Sequence, residues 1–161
     1  MKTYLWKLNS QKLNRTNIAF YSEFLKKYYN LNSKNNYYKI WKWSKDNPEL
    51  FWKSIWQFTK VKGKLGKTIL IKSKVFHKNK FFPDTKLNYA QNLLKKNNNE
   101  KSIIFKSENG FETSVSWKEL NLNVSKISNW FKLNGVKKGD RVAAYLPNIP
   151  ETVTAYIATA A

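Results

Sequence analysis

Cysteine is absent from these 161 residues. No disulfide framework can form, and thiolate ligation of zinc or an iron–sulfur cluster is excluded. The absence fits a reducing compartment. Histidine occurs once, at His77, so a site built from several imidazoles is excluded as well. Arginine is confined to Arg15 and Arg141, which leaves few of the planar guanidinium forks that read bases and phosphates. Acidic residues number 10 against 30 basic ones. No run approaches the roughly 18 apolar residues of a membrane-spanning helix. The stretch from Met1 to Leu8 lacks the apolar core of a signal peptide. A soluble, cytoplasmic protein with no membrane partner is expected.

Aromatic residues are plentiful: seven Trp, nine Tyr and ten Phe within a 42% hydrophobic composition. Such content supports a packed core and argues against a disordered chain. The formal charge of +20 comes from lysines that read as spread along the whole chain, beside Asn runs such as Asn35-Asn36 and Asn97-Asn98-Asn99. Lysine and asparagine enrichment together suggests AT-rich coding and a solvated surface. A small basic nucleic-acid-binding module is the alternative, and a steep salt dependence of binding would mark it.

Two regions emerge. The first, residues 1–94, is aromatic-rich and mostly helical in pattern. Ile18, Tyr21, Phe24, Leu25 and Tyr28 recur on one helical face behind the N-cap candidate Thr16. Asn47-Pro48-Glu49 predicts a second helix, with Asn capping, Pro at the first position and Glu near the positive end of the dipole. Phe51, Trp52, Ile55, Trp56 and Phe58 are its expected buried face. Thr68 to Ile71 favours a short strand. Tyr89 to Leu94, after Asn88, reads as a short helix.

The second region, residues 95–161, has clearer punctuation. Ser102 to Phe105 and Glu112 to Val115 flank Glu108-Asn109-Gly110, a hairpin signal, since Asn-Gly tolerates positive φ. Ser116 and Glu119 have capping-box spacing. Leu120, Val124, Ile127 and Phe131 form one apolar stripe, and Gly135 stands where a left-handed residue ends the helix. After the turn Lys137-Lys138-Gly139-Asp140, residues Arg141 to Leu146 read as a buried strand. Pro147 to Glu151 starts a last helix that reaches Ala161 with no C-terminal cap in the following sequence. The hairpin–helix–strand–helix order is the opening of a layered α/β sheet.

Candidate chemistry is sparse. Gly66-Lys67-Thr68 matches the end of a phosphate loop, but Val61 occupies the position of that motif's first glycine, which favours a basic surface turn over a nucleotide cradle. His77 has no recognisable nucleophile beside it. Glu108 with Glu112, and Asp140 with Glu151, read as turn and helix-start residues. The aromatic clusters Trp41-Lys42-Trp43 and Phe51, Trp52, Trp56 suit a buried helical face better than a base-stacking platform.

Two stretches resemble acyl-CoA synthetases of the adenylate-forming superfamily: Ser116-Trp117-Lys118-Glu119-Leu120, and Gly135 to Ala143 followed by Leu146-Pro147-Asn148-Ile149-Pro150-Glu151. Ile40-Trp41-Lys42-Trp43-Ser44, then Pro48 to Trp52, then Phe82 to Leu94, are similar in order to the acetyl-CoA and acetoacetyl-CoA synthetase branch. The Trp-Lys-Trp-Ser cluster resembles the acetoacetyl-CoA synthetase family most.

The resemblance implies an α/β fold: a helical N-terminal cap over residues 1–94, then at 95–161 the first hairpin, helix and strand of a large AMP-binding (adenylation) domain, truncated. It implies an ATP-dependent acid–thiol ligase acting through an acyl-adenylate, with ATP, coenzyme A and magnesium serving the longer parent and a small acid as substrate. No residue of this chain falls on a family position for catalysis, cofactor binding or metal. Asp140 and Arg141 belong to a structural turn. The chain alone is therefore expected to be inactive, to leave apolar faces uncovered, and to aggregate or order only partly. A regulatory remnant that docks on a full-length synthetase is a further alternative.

Overall fold

A computed structural model describes residues 9–161 and divides the chain into two compact units, Met1–Thr85 and Lys86–Ala161. The signal-peptide reading of Met1 to Leu8 lies outside the described residues.

Unit 1 begins with α1 (Ser10–Leu13) and α2 (Asn17–Tyr29). Thr16 caps α2 as expected: its backbone is extended and its hydroxyl accepts from the Ala19 amide at 3.3 Å. The helix ends on Asn30, whose φ of 53° is left-handed, a conformation asparagine tolerates better than most residues. Tyr21 and Leu25 are buried, with Ile18 and Phe24 packed beside them. Tyr28, expected on the same face, is 60% exposed. It covers Phe24 from the solvent side at a centroid distance of 4.9 Å, with the Lys27 ammonium 5.0 Å from its own ring centre.

α3 (Tyr37–Asp46) and α4 (Pro48–Phe58) follow. Asn36 opens α3, its side chain accepting from the Lys39 amide at 3.2 Å. Asn47 departs from expectation. Its side chain makes no cap bond to α4 and instead donates to the Trp43 carbonyl at 3.3 Å, closing the helix before it. Pro48 at the first turn and Glu49 behind it still start α4. Trp52, expected inside, is 38% exposed; its indole meets Phe81 edge-on at 5.4 Å. The core is Tyr21, Leu25 and Ile40, with Phe24, Trp43, Phe51, Ile55 and Phe58 against it. Within it the Ser54 hydroxyl donates to the Phe51 carbonyl at 2.7 Å, leaving its oxygen to receive the Tyr21 hydroxyl at 2.5 Å. The pairing satisfies polar atoms that burial would otherwise penalise.

The rest of unit 1 is loop with short strands: β1 (Gly63–Lys64), β2 (Leu70–Ile71) and β3 (Lys80–Phe81). β2 and β3 pair antiparallel, Leu70 opposite Phe81 and Ile71 opposite Lys80, across a 3-10 turn at Phe76–Lys78. The strand expected from Thr68 is thus only two residues long.

Unit 2 contains β4 (Lys86–Leu87), α5 (Tyr89–Leu93), the hairpin β5 (Lys101–Lys106) and β6 (Glu112–Ser116), then α6 (Trp117–Leu133) and α7 (Pro150–Ala160). β5 and β6 are antiparallel, with Gly110 at φ 84° in the turn. Ser116 and Glu119 complete the capping box: each side chain takes the other's backbone amide, at 3.2 Å and 2.8 Å. Gly135, at φ 83°, ends α6, and the Val136 amide returns to the Phe131 carbonyl at 3.0 Å. Leu120, Val124, Ile157, Ala158 and Ala90 form the core, which Ile103, Val115, Ile127 and Phe131 extend.

Two expectations fail here. Arg141 to Leu146 forms no strand and is exposed throughout, with Tyr145 at 105%. Its local chemistry is that of a strand, but a strand exists only through a ladder, and no described strand lies alongside it. The last helix is also not uncapped. Asn88 reaches it from 72 residues away and donates its Nδ2 to the Ala160 carbonyl at 2.8 Å.

Candidate functional site

The Gly66-Lys67-Thr68 turn is the closest approach to a phosphate loop, and the structure shows what fills it. The Asp84 carboxylate accepts from the Lys67 amide at 2.8 Å and from the Thr68 amide at 3.3 Å, while the Gly66 amide donates to the Thr85 hydroxyl at 2.9 Å. These are the donors a phosphate would need. A carboxylate of the same chain holds them, and a nucleotide would have to displace it. Glycine at 66 is required for this closeness, because an added Cβ would stand 2.4 Å from Asp84 Cγ. Phe82, held at φ 49°, turns the chain just before Asp84 and packs its ring on Trp56 at 5.5 Å. The clamp lies 17 residues from Lys67, beyond the span of any local motif.

The other candidates are dispersed. His77 sits exposed on the 3-10 turn of the β2–β3 loop. Glu112 forms an ion pair with Lys106 opposite it in the hairpin, at 2.5 Å. Asp140 accepts from the Lys137 amide at 2.7 Å, which holds the turn expected there. Glu151 lies in the first turn of α7 and Arg141 is exposed. Trp43, Phe51 and Trp56 are partly buried, as a packing role requires, whereas Trp41 is exposed with the Lys45 ammonium 5.5 Å from its ring.

Shifted titrations fall on structural groups. Burial raises Tyr21 and Tyr29 above the usual tyrosine range, with the hydrogen bond shared with Ser54 opposing part of the effect at Tyr21. Glu119 is lowered by the Ser116 amide, and Glu100 by its bond to Lys96. None of these four lies at a candidate reaction centre, where perturbed groups are otherwise informative. Among the described residues, no group of three or more His, Asp or Glu could hold a metal ion.

The basic residues are spread over both units. Unit 1 carries 19 of the 30 basic residues and 4 of the 10 acidic ones.

Unit 2 holds an open groove of about 580 Å³ lined by Tyr89, Phe131, Val142, Ala144, Leu146 and Tyr156, among others. Val142, Ala144 and Leu146 line it while Tyr145 stands free, a period-two alternation along an extended segment. No charged side chain lines the groove. It can bury apolar surface, but it offers phosphate no cation.

Comparison with known proteins gives these features a context. Residues 91–161 match the AMP-binding enzyme family. The chain is 36% identical over 118 residues to acetoacetyl-coenzyme A synthetase of Rhizobium meliloti (strain 1021), covering 73% of this chain and 18% of that protein. It is 35% identical over 129 residues to acetoacetyl-CoA synthetase of Xenopus tropicalis, covering 78% and 19%. Among solved structures, acetoacetyl-CoA synthetase from Streptomyces lividans superposes with a TM-score of 0.85 at 27% identity, over 98% of this chain and 25% of that one. The chain thus spans about a fifth of the length of the curated relatives it matches. The chain is thus similar to the acetoacetyl-CoA synthetases, and its residues 91–161 to the AMP-binding enzymes, as the Trp-Lys-Trp-Ser and Gly-Asp-Arg-Val stretches had suggested.

Proposed function

We propose that these residues are the N-terminal cap (1–94) and the start of the adenylation domain (95–161) of an ATP-dependent acid–thiol ligase in the cytoplasm. The reaction is that of an acetoacetate–CoA ligase. A carboxylate attacks the α-phosphate of ATP, pyrophosphate leaves, and the thiol of coenzyme A then displaces AMP from the acyl-adenylate. Magnesium serves the nucleotide in the complete enzyme. The observation that carries the reading is the superposition on the Streptomyces lividans synthetase over 98% of the chain.

Within that enzyme the present residues act as scaffold. The Asp84 clamp withholds the amides of the Gly66 turn from phosphate, and the unit 2 groove is uncharged. We assign no catalytic, cofactor or metal ligand to this chain, and the 161 residues alone form no adenylate. Nothing in the fold favours the nucleic-acid alternative, and it is set aside.

The test is a chimera in which this chain replaces the matched region of the Rhizobium meliloti protein. Acetoacetate-dependent exchange of labelled pyrophosphate into ATP is expected from the folded chimera and not from the isolated chain. A folded chimera without exchange would overturn the assignment. So would adenylate formation by residues 1–161 alone.

A further inference from the structure

The β2–β3 loop of unit 1 has a construction that the ligase reading does not use. Residues 50–83 contain nine lysines and no acidic residue. Four of those lysines, Lys72, Lys74, Lys78 and Lys80, are exposed on the loop and its flanking strand. Among the described residues none of the four has a carboxylate within ion-pair distance. Lys72 also borders a depression with Asp46 and Glu49, so the uncompensated positive charge rests mainly on Lys74, Lys78 and Lys80.

Between these cations the tip presents apolar side chains. Phe76 is 85% exposed and Val75 42%. The tip does not owe its exposure to disorder of its backbone. The Ser73 amide donates to Asn79 Oδ1 at 2.7 Å and the Val75 amide to the Ser73 hydroxyl at 3.2 Å. The Lys78 and Asn79 amides return to the Val75 and Phe76 carbonyls at 2.9 and 3.1 Å. Phe76 also walls an apolar cleft of about 390 Å³ with Trp52, Leu70 and Phe81, so the tip is continuous with further apolar surface.

An apolar tip, a loop braced by four of its own amides and three flanking exposed lysines fit one environment especially well. The interface of an anionic bilayer offers hydrocarbon at its boundary, phosphates above it, and little water to satisfy stray amides. We propose that the Ser73–Asn79 loop is a peripheral docking site for an anionic lipid surface. Val75 and Phe76 enter the headgroup boundary while Lys74, Lys78 and Lys80 extend their ammonium groups to the phosphates. The contact lies on the surface. Among the described residues no helix is long and apolar enough to cross a membrane.

The test uses the whole chain with vesicles of phosphatidylcholine, alone or doped with phosphatidylglycerol. Because the sequence has no cysteine, a His77→Cys variant takes a single environment-sensitive fluorophore at the tip. Doped vesicles are expected to blue-shift the label and sediment the protein, neutral ones to do neither, and added salt to weaken both effects. Val75→Ser with Phe76→Ser should lower apparent affinity about tenfold or more, since two apolar side chains no longer leave water. Each of Lys74→Gln, Lys78→Gln and Lys80→Gln should lower it about fivefold. These residues are exposed, so circular dichroism should not change. Tyr145→Ser, in the other unit, serves as a control expected to bind as wild type. Equal capture by neutral vesicles, or loop variants that bind undiminished, would overturn the proposal. A label that responds to polyglutamate but not to doped vesicles would also overturn it, and would point to an acidic protein surface.

Discussion

Asn88 and Ala160 join the start of one helix to the end of another. Asn88 Oδ1 accepts from the Gln91 amide at 2.8 Å to open α5, and its Nδ2 donates to the Ala160 carbonyl at 2.8 Å to close α7. One amide side chain thus satisfies an orphan donor and an orphan acceptor. Asn88→Asp keeps the acceptor, loses the donor, and adds negative charge at a helix C-terminus, where the dipole disfavours it. Asn88→Ala loses both bonds. Either change should cost about 1–2 kcal/mol, and only Asn88→Ala should also loosen α5. Hydrogen exchange resolved by helix separates the two outcomes.

At the Gly66 turn, Gly66→Ala should push the Asp84 carboxylate off the Lys67 and Thr68 amides. The expected loss is about 1–3 kcal/mol for unit 1, read from urea unfolding. Asp84→Asn should be milder, because an amide oxygen still accepts. If Asp84→Ala left unfolding unchanged, the clamp would be incidental to stability.

Alkaline stability of unit 1 follows from Tyr21. Burial raises its folded value above the ordinary 10.0, so above that pH the folded state holds a proton that the unfolded chain releases. Its contribution is complete below pH 10.0 and declines as pH rises through the raised folded value. Tyr29 shifts in the same direction. Tyr21→Phe should cost about 1 kcal/mol at neutral pH and flatten this alkaline decline. A wild-type midpoint that stayed constant into strong alkali would contradict the argument.

At the start of α6 the sign reverses. The folded value of Glu119 lies below the ordinary 4.5, so its contribution is complete above that pH and is lost as pH falls through the lowered value. Ser116→Ala removes the cap hydroxyl and should cost about 1 kcal/mol. Glu119→Gln should leave helix content at neutral pH nearly intact while removing the acid-sensitive step, as followed by far-ultraviolet circular dichroism.

Short-range grammar was largely readable in the chain. Thr16, Pro48, Asn88, the Ser116–Glu119 box, Gly110 and Gly135 all occupy the positions their chemistry indicates, because caps and turns are settled within four or five residues. Partners further away were not readable. Asn47 has one side chain and two helices to serve, and it serves the earlier one. Asp84 and Asn88 reach across 17 and 72 residues, beyond any local pattern. Tyr28 and Trp52 follow the helical period yet stay in solvent, since a period identifies a face without specifying how far the opposing surface extends. At the Gly66 turn, Val61 in place of the motif's first glycine was legible in the chain, and the Asp84 carboxylate that occupies the turn's amides was not.

The extended run from Arg141 to Leu146 bears on how unit 2 moves. Its six amides have no backbone acceptor among the described residues, so deuterium should enter them far faster than the amides of α6 on one side or α7 on the other. α7 then keeps its place through the side chains of Ile157 and Ala158 and the Asn88 tether, while the covalent link to α6 stays slack. A protease that cuts after Arg141 should sever the chain and still leave both helices associated.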